Sequence, residues 1–222
     1  MVTLDAAGEQ IVTGAADLTL NGGISVTAGT LSSTGGTLSL PIGATLASGA
    51  SFSTSNTTLN LGGSLAVADT WTSTNTSIVL TDVASLSSTE EMSLATLTTN
   101  GYDFELDSAT SDLTIENAFA LTVSEVLATN GADLIFEGSV TTSSVSTIDA
   151  GDGGMLEFQN GGTAAGTINA RNATFKIGSA YAVTGTLKTN GSTIWDLGTA
   201  NIDLTGGKLE RERKSKRLNS SV

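Results

Sequence analysis

The sequence predicts an all-β fold, a single-stranded parallel β-helix (β-solenoid) of about nine coils, each with roughly 20 residues and three short strands. Three observations lead to this prediction. The 222 residues include 36 Thr and 27 Ser, helix-forming Lys, Glu, Gln and Arg are scarce, and one phrase recurs at a nearly constant period. Hydrophobic residues make up 39% of the chain, which argues against disorder despite 26 glycines.

The recurring phrase consists of a hydroxyl residue, a large apolar residue, a short polar stretch with Asn or Gly, and then two apolar residues separated by one residue of any type. The leading apolar residues are Ile11, Leu31, Phe52, Trp71, Leu97, Leu127, Ile148, Ile168 and Leu187. A second apolar residue follows each leader by seven positions, or by eight in one copy: Leu18, Leu38, Leu59, Ile78, Phe104, Leu134, Leu156, Phe175 and Ile194. So constant an internal offset predicts equivalent structural units.

Each unit is expected to contain three strands and three corners. Apolar residues separated by one position are typical of a strand with one buried face, which places Ile194 inward and Trp195 outward. The Asn and Gly residues between strands accept left-handed backbone and so predict corners. A third apolar segment, such as 24–26 or 181–183, precedes each phrase. Stacked coils about 4.8 Å apart would align equivalent side chains in inward columns.

Two leader spacings are long. Trp71 to Leu97 spans 26 residues and Leu97 to Leu127 spans 30, which predicts insertions within 83–91 and 106–119. An antiparallel sandwich is the alternative architecture, because it also combines short strands with frequent turns. A sandwich does not require a constant phrase, however, so the repeat favours the solenoid.

The charge distribution divides the chain into two parts. Residues 208–217 hold six of the nine basic residues, so residues 1–207 carry three basic and 20 acidic residues, a net charge of 3 − 20 = −17. We predict a β-solenoid domain at 1–207 and a basic, disordered tail at 208–222, with a functional basic tail as the alternative. A body this acidic predicts no nucleic-acid partner.

The sequence has no apolar run of transmembrane length and no signal-peptide pattern at its start, so no membrane insertion is expected. Because the repeat begins almost at residue 1, we expect a fragment of a larger secreted or cell-surface protein. Exposed strand edges and flat faces predict end-to-end or face-to-face self-association.

Catalytic chemistry is not expected. The chain has no His and no Cys, which excludes the commonest general base and thiolate chemistry. No cofactor is expected and no metal site is assigned, although Asp149, Asp152 and Glu157 around a Gly-rich corner are a candidate Ca²⁺ site. The abundant acids leave a polysaccharide lyase or hydrolase as an alternative, but residues 1–207 have few basic side chains to bind acidic sugars.

Pairs of hydroxyl residues flank the leader on four coils and form a candidate binding face. The pairs are Thr30 and Ser32, Ser51 and Ser53, Thr70 and Thr72, and Thr96 and Thr98. Stacked in register, they would form a flat Thr/Ser ladder suited to an ice-binding or carbohydrate-binding solenoid. The alternative explanation is that Thr is simply favoured at exposed strand positions.

The phrases GISVTAGTLSSTGGTLSL (23–40) and AVTGTLKTNGSTIWDL (182–197) resemble the passenger repeats of bacterial autotransporters and filamentous-haemagglutinin-type adhesins. The resemblance covers about residues 10–205. It implies a right-handed parallel β-helix, display on a bacterial surface, and a structural or adhesive role with a host-surface, matrix or carbohydrate ligand. No functional residues of those families match positions in this chain.

Overall fold

The computed structural model describes residues 1–69 and 71–212. These residues form 29 short β-strands joined by turns, and they contain no helix. Every strand pairing among them is parallel, as in Ile11 beside Leu31 or Ile168 beside Leu187. The predicted solenoid is therefore confirmed, and the antiparallel sandwich is wrong.

The first five turns contain strands β1 Val2–Leu4, β2 Gln10–Thr13, β3 Leu18–Thr19, β4 Ile24–Val26, β5 Gly29–Thr34, β6 Thr37–Leu40, β7 Ala44–Leu46, β8 Ala50–Ser55, β9 Thr58–Val67, β10 Trp71–Thr74, β11 Ser77–Ser88, β12 Met92–Leu94 and β13 Thr96–Thr98. The remaining strands are β14 Phe104–Leu106, β15 Leu113–Ile115, β16 Phe119–Leu121, β17 Val126–Ala128, β18 Leu134–Phe136, β19 Val140–Thr142, β20 Thr147–Asp149, β21 Met155–Phe158, β22 Gly162–Ala164, β23 Thr167–Asn169, β24 Thr174–Ile177, β25 Tyr181–Val183, β26 Thr186–Asn190, β27 Ile194–Asp196, β28 Ile202–Asp203 and β29 Lys208–Glu212.

The strands stack into three faces. Face 1 is an unbroken ladder of β1, β4, β7, the second half of β9, the second half of β11, β14, β17, β20, β23, β26 and β29. Face 2 consists of β2, β5, β8 and β10, followed by the ladder β12, β15, β18, β21, β24 and β27. Face 3 consists of β3, β6, the first halves of β9 and β11, and β13, followed by β16, β19, β22, β25 and β28. Each turn visits faces 1, 2 and 3 in that order.

The described chain completes about ten turns, in agreement with the predicted solenoid of about nine coils. The two predicted insertions, within 83–91 and 106–119, are wrong. Turn length stays nearly constant: Leu106 pairs with Leu86, 20 residues earlier, and Phe104 pairs with Leu127, 23 residues later. The long leader spacings arise because the sequence phrase moves from one face to the next.

The leaders show this movement directly. Trp71 pairs with Phe52 on face 2. Leu97 pairs with Ile78 on face 3, and Leu127 pairs with Phe104 on face 1. The phrase encodes strand, corner and strand, and any of the three corners of a turn can accommodate that unit. A spacing of 26 or 30 residues is therefore one full turn plus one further strand and corner.

The interior of the solenoid is a continuous apolar core. Along the C-terminal half, the rings of Phe119, Phe136 and Phe158 stack with successive centroid distances of 5.2 and 5.2 Å, and the ring of Phe175 packs at a tilt on Phe158 at 5.6 Å. Phe52 and Trp71 stack at 5.1 Å in the N-terminal half. Offset stacking of this kind adds to the stabilisation from burial.

One inward assignment is wrong in the last full turn. Trp195, not Ile194, aligns with Phe175 and contacts its ring edge-on at 5.8 Å. Ile194 is 62% exposed. The larger aromatic surface takes the position over the phenylalanine stack, which shifts the expected register by one residue and reverses the direction of both side chains.

The predicted corners are confirmed. Positive φ angles near 50° occur at the asparagines Asn56, Asn75, Asn100, Asn130 and Asn172. Some corner amides also hydrogen-bond along the axis: Asn75 Nδ2 donates to Asn56 Oδ1 at 2.8 Å, and Asn172 Nδ2 donates to Asp152 Oδ1 at 2.8 Å. Asn therefore serves both the turn conformation and the stacking of turns.

Paired structure extends beyond residue 207, where we predicted the end of the solenoid. Strand β29 aligns in register with β26, so that Leu209 lies over Leu187. Lys208 and Glu210 flank Leu209 on the opposite side of the strand, and four of the five residues are charged, which is why the composition did not suggest a strand. The rest of the predicted basic tail, residues 213–222, lies outside the described residues.

Candidate functional site

The predicted hydroxyl face is divided between two sides of the solenoid. Thr30 aligns with Ser51, and Ser32 aligns with Ser53, both on face 2. Thr72 continues the second column by aligning with Ser53. Thr70 lies outside the described residues. Thr96 and Thr98 align with Ser77 and Val79 on face 3, because the phrase changes face between turns 4 and 5.

Face 2 carries a third hydroxyl column that the sequence prediction missed. Thr34, Ser55 and Thr74 align in register beside the column of Ser32, Ser53 and Thr72. The signal was present, because the alternation that places Ser32 outward also places Thr34 outward, two residues later. With Thr30 and Ser51, these residues give face 2 a surface of hydroxyl groups over turns 2–4.

Buried hydroxyl groups support this surface from inside. Thr57 Oγ1 donates to the carbonyl oxygen of Ser33 at 3.1 Å, and Thr76 Oγ1 contacts Thr54 Oγ1 at 2.8 Å. All four residues are at most 2% exposed. Because Thr57 and Thr76 each donate to the turn below, the network fixes the corner between faces 2 and 3 and holds the outer columns in register.

Face 3 has its own hydroxyl column, which includes Thr96. Thr37, Thr58, Ser77 and Thr96 align on successive turns. The ladder is then interrupted between β13 and β16, and a shallow groove of about 290 Å³ opens there. It is lined by Thr96, Leu97, Thr98, Thr99, Asn100, Ala118, Ala120 and Thr122.

A buried carboxylate supports the end of this groove. Glu125 is 1% exposed, and its Oε1 accepts hydrogen bonds from Thr99 Oγ1 at 2.6 Å and from the Gly101 amide at 2.7 Å. Its Oε2 accepts from the Thr122 amide at 2.9 Å. Through these charge-assisted hydrogen bonds, Glu125 links the corner at Thr99 and Gly101 to its own corner on the next turn. Sequence reasoning missed it, because nothing local distinguishes it from a solvated acid.

The candidate Ca²⁺ ligands do not converge. Asp149 lies on face 1, where its two carboxylate oxygens each accept a hydrogen bond from Asn169 Nδ2 at 3.1 Å. Asp152 accepts from Asn172 at the corner, while Glu157 lies on face 2 and pairs with Lys176 at 3.0 Å. Within residues 1–69 and 71–212, no group of three or more acidic side chains is arranged to hold a metal ion.

The surface of the first eight turns is acidic and has no basic side chain, since Arg171 is the first basic residue of the sequence. The ion pairs of the described residues all involve Arg171, Lys176 or Lys208. Burial, and secondarily the charge of Asp112, raise the pKa of Asp133 above its ordinary value.

One buried polar atom stands out in the core. Tyr181 is fully buried, its ring lies 4.7 Å from that of Phe158, and its hydroxyl has no hydrogen-bond partner among the described residues. Burial raises the pKa of Tyr181 above its ordinary value, because the phenolate could not be solvated there.

Comparison with known proteins gave no match: no family model, no curated protein and no solved structure is similar to this chain. The β-helical repeat architecture therefore agrees with the resemblance to autotransporter and haemagglutinin repeats, while membership of either family has no support from relatives. No helix that could cross a membrane occurs in the described part of the chain. The molecule is a structural repeat protein with a β-solenoid fold.

Proposed function

We propose that this chain is part of a secreted or cell-surface protein, in which it acts as a stiff rod that presents binding surfaces to a host-surface, matrix or carbohydrate ligand. The role is structural and adhesive and involves no catalysis. The observation that carries it is the unbroken ladder of face 1, which hydrogen-bonds every turn to the next from Val2 to Glu212.

The ladder gives the rod its mechanical properties. Ten turns spaced about 4.8 Å apart extend about 48 Å along the axis. A load applied along that axis is carried by the continuous ladder of face 1, the shorter ladders of faces 2 and 3 and a continuous apolar core. The acidic surface supports the proposal, because like charges on neighbouring rods limit nonspecific association.

The test is adhesion of beads coated with the purified chain to glycan, matrix-protein and cell surfaces. We expect saturable adhesion to at least one of these classes. The matched control is the same chain, heat-unfolded before coupling, which keeps composition and charge but loses the faces. Adhesion equal to that of the unfolded control on every surface, or turnover of a polysaccharide, would contradict the proposal.

A second candidate function is recognition of ice or of a carbohydrate surface by face 2. It is favoured by the in-register columns of Ser32, Ser53 and Thr72 and of Thr34, Ser55 and Thr74. Such a surface offers regularly spaced hydroxyl groups on a rigid support.

This candidate is tested by placing a bulky side chain in the hydroxyl columns. Ser51→Tyr and Thr72→Tyr, both at exposed positions, should abolish inhibition of ice recrystallisation or binding to a glycan array. Thr141→Tyr, exposed on face 3, is the control and should have no effect. If the wild-type chain has neither activity, or if all three variants behave alike, face 2 is not the binding surface.

A further inference from the structure

We propose that the outer surface of face 1 across turns 5–7 docks a cationic, apolar peptide segment of a partner protein. The inference deepens the proposed function and rests on it, because it names the surface and the partner chemistry of an adhesive rod. The surface comprises a groove, which we call the valine groove, and an apolar row along the adjacent corner.

The valine groove has apolar walls and an acidic rim. Its volume is about 280 Å³, and it is lined on the outside by Val83, Val126, Ala128, Asp103 and Glu105. The two valines are 58% and 40% exposed. Strands β11, β14 and β17 form its floor, and their ladder is continuous, so the groove has a rigid base.

The two carboxylates are held by the protein and form no ion pair with a basic side chain in the described part of the chain. Asp103 Oδ1 accepts a hydrogen bond from the Val126 amide at 2.7 Å, and Glu105 Oε1 accepts one from Asn130 Nδ2. The first basic residue of the sequence, Arg171, lies several turns away. Both acids are exposed and keep free lone pairs, which an external cation can occupy.

The apolar row lies along the corner between faces 3 and 1, beside the groove. Tyr102, Val123 and Val145 occupy this corner on successive turns and are 36%, 48% and 64% exposed. The row and the groove together form a patch of exposed apolar side chains at adjacent positions. Such a patch is typical of an interaction site, whereas single exposed apolar residues are common on any protein surface. A Cβ built on Gly101 would lie 3.2 Å from Val123 Cγ2, so Val123 lies directly beside the corner of the preceding turn.

Charge complementarity identifies the occupant. An apolar surface rimmed by carboxylates selects side chains that combine an aliphatic stem with a positive end, as lysine and arginine do. The acidic turns of a second copy carry a like charge and would be repelled. We therefore assign the surface to a segment of another protein in which basic and apolar residues alternate.

The experiment measures fluorescence anisotropy of a labelled synthetic peptide, in which lysine alternates with valine, on addition of the full chain. We expect saturable binding that weakens with salt and about tenfold weaker binding for Glu105→Lys. Val126→Ser should weaken binding about threefold, as expected for the loss of one apolar contact. Peptides with glutamate replacing lysine, or glycine replacing valine, should bind at least about tenfold more weakly.

Two matched variants separate this site from general attraction to an acidic rod. Glu91→Lys makes the same charge change at an exposed position on a different corner, and Val12→Ser removes an exposed valine from face 2. Both should bind the peptide like the wild type. Equal weakening by Glu91→Lys and Glu105→Lys, or equal binding of the glycine-containing peptide, overturns the proposal.

Two further measurements distinguish failure of the docking surface from failure of the adhesive role. Sedimentation of the chain alone tests the other occupant: a dimer that Glu105→Lys dissociates would assign the groove to basic residues of a second copy and overturn the present assignment. If bead adhesion is found and is the same for wild type and Glu105→Lys, the adhesive role stands and the docking surface fails. The opposite result, peptide binding without adhesion, rejects the adhesive role and leaves the groove established as a peptide site.

Discussion

The indole Nε1 of Trp71 donates a hydrogen bond of 3.0 Å to the hydroxyl oxygen of Thr54 on the preceding turn. The same oxygen contacts the Thr76 hydroxyl at 2.8 Å, and all three residues are buried. Replacing Thr54 by valine keeps the shape but removes the acceptor. We expect Thr54→Val to lower the free energy of unfolding by about 2 kcal/mol, measured by urea denaturation.

The control for this prediction is Thr72→Val, an exposed position in the same strand as Trp71. It should change the free energy of unfolding by less than about 0.5 kcal/mol. Equal losses in the two variants would show that the buried hydroxyl network does not stabilise the corner.

Tyr181→Phe is expected to stabilise the protein by about 1 kcal/mol, because it removes a buried hydroxyl that has no partner among the described residues. The raised pKa of Tyr181 also gives a pH dependence. The folded state keeps its proton at pH values where the unfolded phenol, with a pKa of about 10, loses it, so stability falls as pH rises above about 10.

The variant should therefore lose stability less steeply above that pH than the wild type does, in thermal unfolding followed by circular dichroism. Tyr102→Phe is the matched control, since Tyr102 is 36% exposed, and it should be neutral at pH 7. A destabilised Tyr181→Phe variant would mean that the hydroxyl has a partner in solution.

Gly162 on face 3 cannot accept a side chain. Its φ is +143°, and a Cβ there would overlap the carbonyl oxygen of Val140 on the turn below. Gly162→Ala should therefore reduce stability by about 3 kcal/mol or more, or prevent folding. Gly191→Ala is the control: a Cβ there meets no atom within 4 Å, so soluble expression and thermal midpoint should be unchanged or slightly improved.

Asp133→Asn is expected to stabilise the protein at neutral pH, by less than about 1 kcal/mol. The pKa of Asp133 is raised by burial and by Asp112, so the folded state binds a proton more readily than the unfolded state does. Its ionisation therefore lowers stability as pH rises from the ordinary Asp value of 3.8 through the raised one.

The difference between Asp133→Asn and the wild type should accordingly shrink when urea denaturation is repeated below the ordinary Asp pKa. Asp5→Asn, at an exposed corner of the first turn, provides a control for the loss of one charge. A gain that is independent of pH, or that Asp5→Asn reproduces, would contradict this explanation.

Local features of the sequence were sufficient to predict strands and corners. The seven-residue offset between leaders and anchors placed Phe52 on Trp71 correctly, because both copies of the phrase occupy the same corner. Left-handed backbone at Asn56 and Asn75 followed from the same pattern. These predictions succeeded because a strand and its adjoining corner are specified by residues a few positions apart.

Assignment of strands to faces could not be predicted in the same way. Whether Leu97 stacks on Trp71 or on Ile78 depends on how many strands and corners separate them, and an error there persists through every later turn. The valine groove and the hydrogen bonds of Glu125 lie where the phrase changes face. The proximity of their residues can therefore be predicted only when each strand is assigned to the correct face. Trp195 was misplaced because ring packing on Phe175 outweighed the local alternation.

The migration of the phrase around the axis has a consequence for how such a chain can evolve. Copying or deleting one whole turn leaves every downstream surface pointing in its original direction. Recombination between two similar copies of the phrase can instead insert or delete one strand and one corner. All later strands are then shifted by one face, which rotates their outer surfaces by about one third of a revolution around the axis. The two long leader spacings have that effect here: the strands that begin the phrase lie on face 2 in the first half of the rod and on face 1 in the second half, so equivalent surfaces point in different directions.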